Sequence, residues 1–235
     1  MKTSLGVIGG MGPKATSVFF NRVVERTKAS SDQGHLDMII VNHATLPDRT
    51  EAIQNNTGEL FLKEINKDFR LLEQAGVSTI AIPCNTSHYF YDQMQSMTEI
   101  PIIHMVKETL QYTGRFFGRG SRVGILATTG TINSGIYREA ALQYGLNLIE
   151  PGPAIQQRVM SLIYDGIKNS TPVNPAMLEE IITSFIKELH CNCVIIGCTE
   201  LSVIEVKQNI RRYCVDAMNV LVEQSILLSG KQLLA

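Results

Sequence analysis

Segment 71–84 of this chain returns 114 positions later as 185–198: the end of an amphipathic helix, a turn, an apolar run and a cysteine. Two further segments repeat in the same order. Val7-Ile8 and its surroundings match 123–127 at a displacement of 118, and Pro101-Ile102-Ile103-His104 matches Tyr213-Cys214-Val215-Asp216 at 112. Ordered matches at slowly drifting offsets are what an internal duplication leaves after small deletions. A chain built this way is constrained to fold as two similar halves. In each half, strand-sized apolar runs alternate with helical segments, the pattern of a parallel sheet flanked by helices.

The local signals fit that plan. Residues 4–8 read as a first strand that ends in Gly9-Gly10-Met11-Gly12-Pro13. A helix should begin near Pro13 or Lys14, because proline is tolerated in a first helical turn. Residues 37–43 read as a second strand. Thr57 is placed to N-cap a helix whose Phe61, Ile65, Phe69 and Leu72 share one face, and Gly76 ends it. The glycine-rich stretch 114–120 reads as the link between halves. The expected fold is therefore α/β, with two similar lobes, each a short mostly parallel sheet flanked by helices. Residues 1–114 would form the first lobe and 115–216 the second, with a terminal helix, 217–235, packed back on the first.

Each half is long enough, at about 115 residues, to bury its own core. A net charge of −1 excludes a general basic face for nucleic acid. No apolar stretch approaches the roughly 20 residues of a membrane span. The run 5–11 is too short and too interrupted by glycine for a secretory segment, so a cytoplasmic protein is expected. Its five cysteines lack the spacing of a disulfide framework and read as thiols.

Two of these thiols stand apart. Ile80-Ala81-Ile82-Pro83-Cys84-Asn85-Thr86-Ser87 and Val194-Ile195-Ile196-Gly197-Cys198-Thr199-Glu200 each carry a cysteine out of an apolar run into small polar residues. In an open α/β sheet, the carboxyl ends of the strands are where ligands bind. Two such thiols on facing lobes would flank one substrate. That suits inversion of a carbon centre, which needs a base on one face and an acid on the other. An ordinary thiol, with a pKa of about 8.5, is only a few per cent ionised at pH 7. A helix N-terminus and hydrogen bonds from Asn85, Thr86 and Thr199 would favour the thiolate.

Other motifs carry less. Cys191, Cys193 and Cys214 read as small buried hydrophobes. His190-Cys191-Asn192-Cys193 lacks a second ligand pair for zinc. The glycine loop lacks the full G-x-G-x-x-G spacing of a dinucleotide site. His88 and His104 read as core or helix-turn histidines, and Asp216 as the cap of the last helix. Thr128-Thr129-Gly130-Thr131, after a strand and before a helix, reads as a nest for an anion.

The glycine loop with its Gly-Gly-Met-Gly, the Pro-Cys-Asn-Thr element at Cys84 and the Gly-Cys-Thr-Glu element at Cys198 resemble the aspartate/glutamate racemases that work without pyridoxal phosphate. The resemblance spans the whole chain. It implies no cofactor, an active site in the cleft between lobes, Cys84 and Cys198 as the two catalytic bases, and a homodimer acting on an acidic amino acid. It also implies that Arg49 and Lys168 hold the substrate's carboxylates. Met11, Asn85, Thr86, Ser87, Thr128, Thr129, Thr131, Thr199 and Glu200 would line the substrate site. Glutamate racemases typically carry Asp-Ser after the first strand and His two positions after the second cysteine. Here Gly10-Met11-Gly12 and Glu200 stand there, which favours the aspartate branch. Three alternatives stay open: a glutamate or broad-specificity racemase, a hydantoin-racemase or maleate-isomerase type of enzyme, and an amino-acid or dicarboxylate binding protein without catalysis.

Overall fold

The computed structural model describes residues 4–234. The first lobe contains β1 (Leu5–Gly9), α1 (Pro13–Arg26), β2 (Met38–Asn42), α2 (Arg49–Gln54), α3 (Gly58–Gln74), β3 (Thr79–Ala81), α4 (Tyr91–Ser96) and α5 (Met105–Phe117). The second contains β4 (Arg122–Leu126), α6 (Thr129–Asn133), α7 (Ile136–Gln143), β5 (Asn147–Ile149), α8 (Pro153–Ser161), α9 (Pro175–Lys187), β6 (Cys193–Ile196), α10 (Gln208–Arg211), β7 (Cys214–Asp216) and α11 (Ala217–Leu228).

All the pairings between these strands are parallel. The first sheet runs β2-β1-β3, with Val7 opposite Ile40 and Ala81, and an isolated parallel bridge from Ile80 to Ile102 adds a fourth position. The second runs β5-β4-β6-β7. Ile102 thus takes in the first lobe the place that β7 takes in the second, and the sequence matches at 118, 114 and 112 are matches of sheet position.

Burial explains why these segments hold their form. Every residue of β1 is buried, as a central strand covered on both faces requires. Phe61, Ile65, Phe69 and Leu72 of α3 have no exposed surface, each worth about 2 kcal/mol of burial. After each fourth sheet position the chain crosses over. Val106 and Leu110 of α5 sit in the second lobe's core with Ile125 and Ile195. Met218, Leu221 and Val222 of α11 sit in the first lobe's core with Val7 and Phe19. The two crossing helices pack on each other.

Three local expectations are corrected. The apolar run before Cys84 is strand only as far as Ala81, because Pro83 has no N–H for the ladder; the Cys84 amide turns back to the Ile82 carbonyl at 2.7 Å. Thr57 does occupy the N-cap of α3, but its hydroxyl makes no capping bond. The link between halves is shorter than 114–120, since α5 continues to Phe117; the turn falls at Gly118 and Gly120, both at φ +83°.

Candidate active site

Two turns carry the paired thiols. After β3 a 3₁₀ turn (Thr86–Phe90) folds back on Cys84, whose carbonyl accepts from Ser87 Oγ at 2.7 Å and from His88 Nδ1 at 2.8 Å. The Met105 amide donates to His88 Nε2 at 3.2 Å, so the proton sits on Nδ1. Complete burial pushes His88 below its ordinary pKa, leaving the imidazole neutral near pH 7. This histidine braces the turn from behind.

On the other lobe the ladder runs on through Gly197, whose amide reaches the Leu126 carbonyl at 2.8 Å, and the chain then turns at Cys198. The Cys198 thiol donates to Glu200 Oε2 at 3.0 Å. Glu200 Oε1 accepts from the Gly12 amide of the first lobe at 2.9 Å, and Thr199 Oγ1 donates to the Pro83 carbonyl at 3.1 Å. Burial, and then the Glu200 carboxylate, push the Cys198 thiol well above the ordinary range; Lys168 pulls weakly the other way. Arg22 of α1 fixes this turn by donating to the Ser202 carbonyl, to Asp216 Oδ2 at 2.7 Å and to Asn219 Oδ1 at 3.0 Å.

Cys84 and Cys198 line one cavity between the lobes, together with Met11, Arg49, Asn85, Thr86, Thr128, Lys168, Thr199 and Glu200. Its volume, about 10 Å³, leaves room for about one water. It adjoins an outer cleft of about 420 Å³ between the β1–α1 loop, the β2–α2 loop and Ile167–Ser170; Asp48, Arg49, Lys168 and Glu200 border both spaces. Gly10 shapes the mouth of that cleft. At φ +89° its missing Cβ would fall 2.3 Å from the His43 backbone, so no other residue fits.

Arg49, the first residue of α2, is buried. Its Nη1 donates to the Pro47 carbonyl at 2.8 Å and its Nη2 to the Met11 carbonyl at 3.3 Å, while its buried Nε has no partner. Asn85 is in the same condition: Oδ1 accepts from Tyr137 Oη at 2.6 Å, and the buried Nδ2 is unpaired. Lys168 closes a π-helical turn, Leu162–Lys168, and its Nζ lies 3.0 Å from Asp48 Oδ2 and 4.2 Å from the Tyr164 ring centre. Burial would raise the Asp48 carboxyl, but Lys168 and Arg49 outweigh it and hold it below the usual range. Burial likewise opposes the Lys168 charge, and Asp48, Tyr164 and Glu200 together raise its pKa.

Three of the expected lining residues lie behind the wall. Ser87 is fully buried, its hydroxyl spent on Cys84. The Thr129 amide donates to the Met160 sulfur and its hydroxyl accepts from Gln156, so no anion nest is open there. Thr131 joins Thr86 and Thr128 in a triangle of hydroxyls across the lobes, with oxygen separations of 2.9, 3.0 and 3.2 Å. Thr128 also N-caps α6 through the Thr131 amide. Three lining residues escape the sequence reading: Asp48, Thr50 and Tyr164. Asp48 had a local signal, since Asp before Arg-Thr-Glu is an N-cap pattern, and it accepts from Thr50 and Glu51 amides. Among the described residues no three His, Cys, Asp or Glu side chains are grouped to hold a metal, and His190 and Cys193 stand in a turn and inside β6.

This two-lobed arrangement has known counterparts. The model of the Asp/Glu/hydantoin racemase family matches residues 8–225. The chain belongs to this family. A solved aspartate racemase from Picrophilus torridus is 29% identical and superposes with a TM-score of 0.83 over 99% of this chain and 96% of that one. An aspartate racemase homologue from Pyrococcus horikoshii OT3 shares the fold at 23% identity, with a TM-score of 0.77 over 98% of this chain and all of the other. The broad specificity amino-acid racemase RacX of Bacillus subtilis is 28% identical over 207 residues, 85% of this chain and 86% of its own. Membership of a racemase family makes the chain an isomerase; among the described residues, no helix is long and apolar enough to cross a membrane.

Proposed function

We propose that the protein interconverts L- and D-aspartate by proton transfer at Cα between the Cys84 and Cys198 thiols. One observation carries this reading. Arg49 and Asn85 each bring a buried, unpartnered N–H donor to a cavity that also holds both thiols. Leaving such donors unpaired costs about 1–3 kcal/mol each, and a carboxylate seated between them would recover it. The thiolate of one cysteine takes the Cα proton from one face while the thiol of the other gives its proton to the opposite face. Each enantiomer leaves the pair in the ionisation state that accepts the other. Lys168 at the cavity mouth supplies the second cation for a side-chain carboxylate, on leaving Asp48.

A broad-specificity racemase is the second reading. The charge of Lys168 is already matched by Asp48, which weakens selection for a second carboxylate, and RacX is a comparable relative. A chiral assay over a panel of L-amino acids in deuterated water separates the two. Aspartate alone racemising, with deuterium entering Cα, is the expected result. Turnover of neutral or basic amino acids at similar rates favours the second reading, and binding without deuterium incorporation overturns both.

A further inference from the structure

The 114-position offset that equates Cys84 with Cys198 also equates Thr86 with Glu200. Where one lobe carries a neutral hydroxyl, the other carries a carboxylate. The difference reaches the thiols. Cys198 Sγ donates to Glu200 Oε2 at 3.0 Å, whereas Thr86 turns its hydroxyl away to Thr128 and Thr131. Among the described residues, no carboxylate hydrogen-bonds Cys84.

We propose that Glu200 holds the proton of Cys198, so that the resting protein keeps Cys198 as its acid and Cys84 as its base. Glu200 is only 4% exposed, and its other oxygen is occupied by the Gly12 N–H. A buried carboxylate beside a thiolate would set two like charges about 3 Å apart; a shared proton between them removes the conflict. When Cys198 must act as base, Glu200 takes its thiol proton and donates that hydrogen bond back to the thiolate, while Cys84 takes up one proton from solvent to serve as the acid. The swap takes up one proton in all. Glu200 also borders the outer cleft, which gives that proton a route to solvent. The other charged or titratable groups around Cys198 are Cys84, Arg49, Tyr164 and Lys168, the last paired with Asp48, in the shared cavity, and the Tyr137 phenol behind it.

This assignment deepens the two-thiol reading, and it has a test that needs no turnover. With ¹³C at cysteine Cβ, and signals assigned through Cys84→Ser and Cys198→Ser, each thiol is titrated between about pH 6 and 10. In the unaltered protein the Cys198 signal is expected to stay flat across that range. In Glu200→Gln the amide can still accept from Gly12 but now donates to Cys198, and the Cys198 transition is expected to enter the range. Lys168, Asp48 and Tyr137 are the same in both proteins, so the difference isolates Glu200. A Cys198 transition inside that range in the unaltered protein overturns the proposal. So does a folded Glu200→Gln in which Cys198 stays flat.

Kinetics add a second readout. Racemisation has an equilibrium constant of one, so kcat/KM is equal in both directions. Unequal thiols therefore show as unequal kcat values offset by equally unequal KM values. Glu200→Gln should change that ratio between enantiomers at least severalfold, with Glu200→Asp restoring part of it. An unchanged ratio in an active variant overturns the proposal. If no substrate turns over but the titrations behave as expected, the racemase reading fails and the proton assignment stands.

Discussion

Lys168 Nζ sits 3.0 Å from Asp48 Oδ2, so one of the cations lining the cavity is neutralised by the chain itself. A dicarboxylate must displace Asp48 to use it. Lys168→Met should raise the KM for aspartate about 10–100-fold, the range for losing a charge-assisted hydrogen bond. Asp48→Asn keeps the N-cap acceptor of α2 and frees Lys168, so a dicarboxylate should bind more tightly while the melting temperature falls. Calorimetric titration reads the first effect and thermal unfolding the second. The folded Asp48 pKa lies below its ordinary 3.8, so its stabilisation is complete above about pH 4 and is lost as pH falls through the lower folded value.

The hydroxyl triangle ties the lobes together. Thr86→Val leaves the Thr128–Thr131 contact in place and removes the hydroxyl common to the other two. A loss of about 1–2 kcal/mol is expected, a few degrees in melting temperature for a chain of this size. Thr86→Ser should recover most of it. Equal melting temperatures for the valine and serine variants would show that the triangle adds nothing.

Gly130 packs directly against the first lobe. A Cβ there would lie 2.8 Å from Thr50 Cα, one residue from Arg49. Gly130→Ala should push α2 away from α6, raise KM and cost about 1–3 kcal/mol. At Gly124 a Cβ meets Phe185 at 2.3 Å inside the second lobe's core. That variant should lose stability without a matching change in KM, so the pair separates lobe closure from packing.

One buried and one half-buried histidine set an acid limit. Burial holds His88 below its ordinary 6.5 and brings His104 down to about 3. The unfolded chain binds these protons first, so the stabilisation is complete above about pH 6.5 and falls as pH drops towards the folded values. The melting temperature should decline between about pH 6.5 and 5, before most carboxylates titrate. His104→Gln should flatten part of that decline. A flat profile in the unaltered protein would show that the histidines are not neutral when folded.

The repeat and the burial periods made the lobes legible. Phe61, Ile65, Phe69 and Leu72 announced α3, and the context of Cys84 and Cys198 announced which two of the five thiols share a cavity. What stayed hidden depends on distance along the chain. Gly12 meets Glu200 across 188 positions, and Lys168 meets Asp48 across 120. No local pattern encodes such partners. Thr129 and Thr131 illustrate the same limit in reverse, for a promising Thr-Thr-Gly-Thr turn had its groups taken by Met160, Gln156 and Thr86.

The crossing of α5 and α11 has a consequence for how such a chain could arise. A half-length molecule on this plan would leave its last helix without a core to enter and its own core without a cover. Two identical copies, each lending its helix to the other, would close both. Their shared cleft would lie on a two-fold axis, with the same residues on each side. Joining the copies in one chain lifts that constraint, and position 86 can hold threonine while position 200 holds glutamate. The two faces of one carbon can then be met by different chemistry.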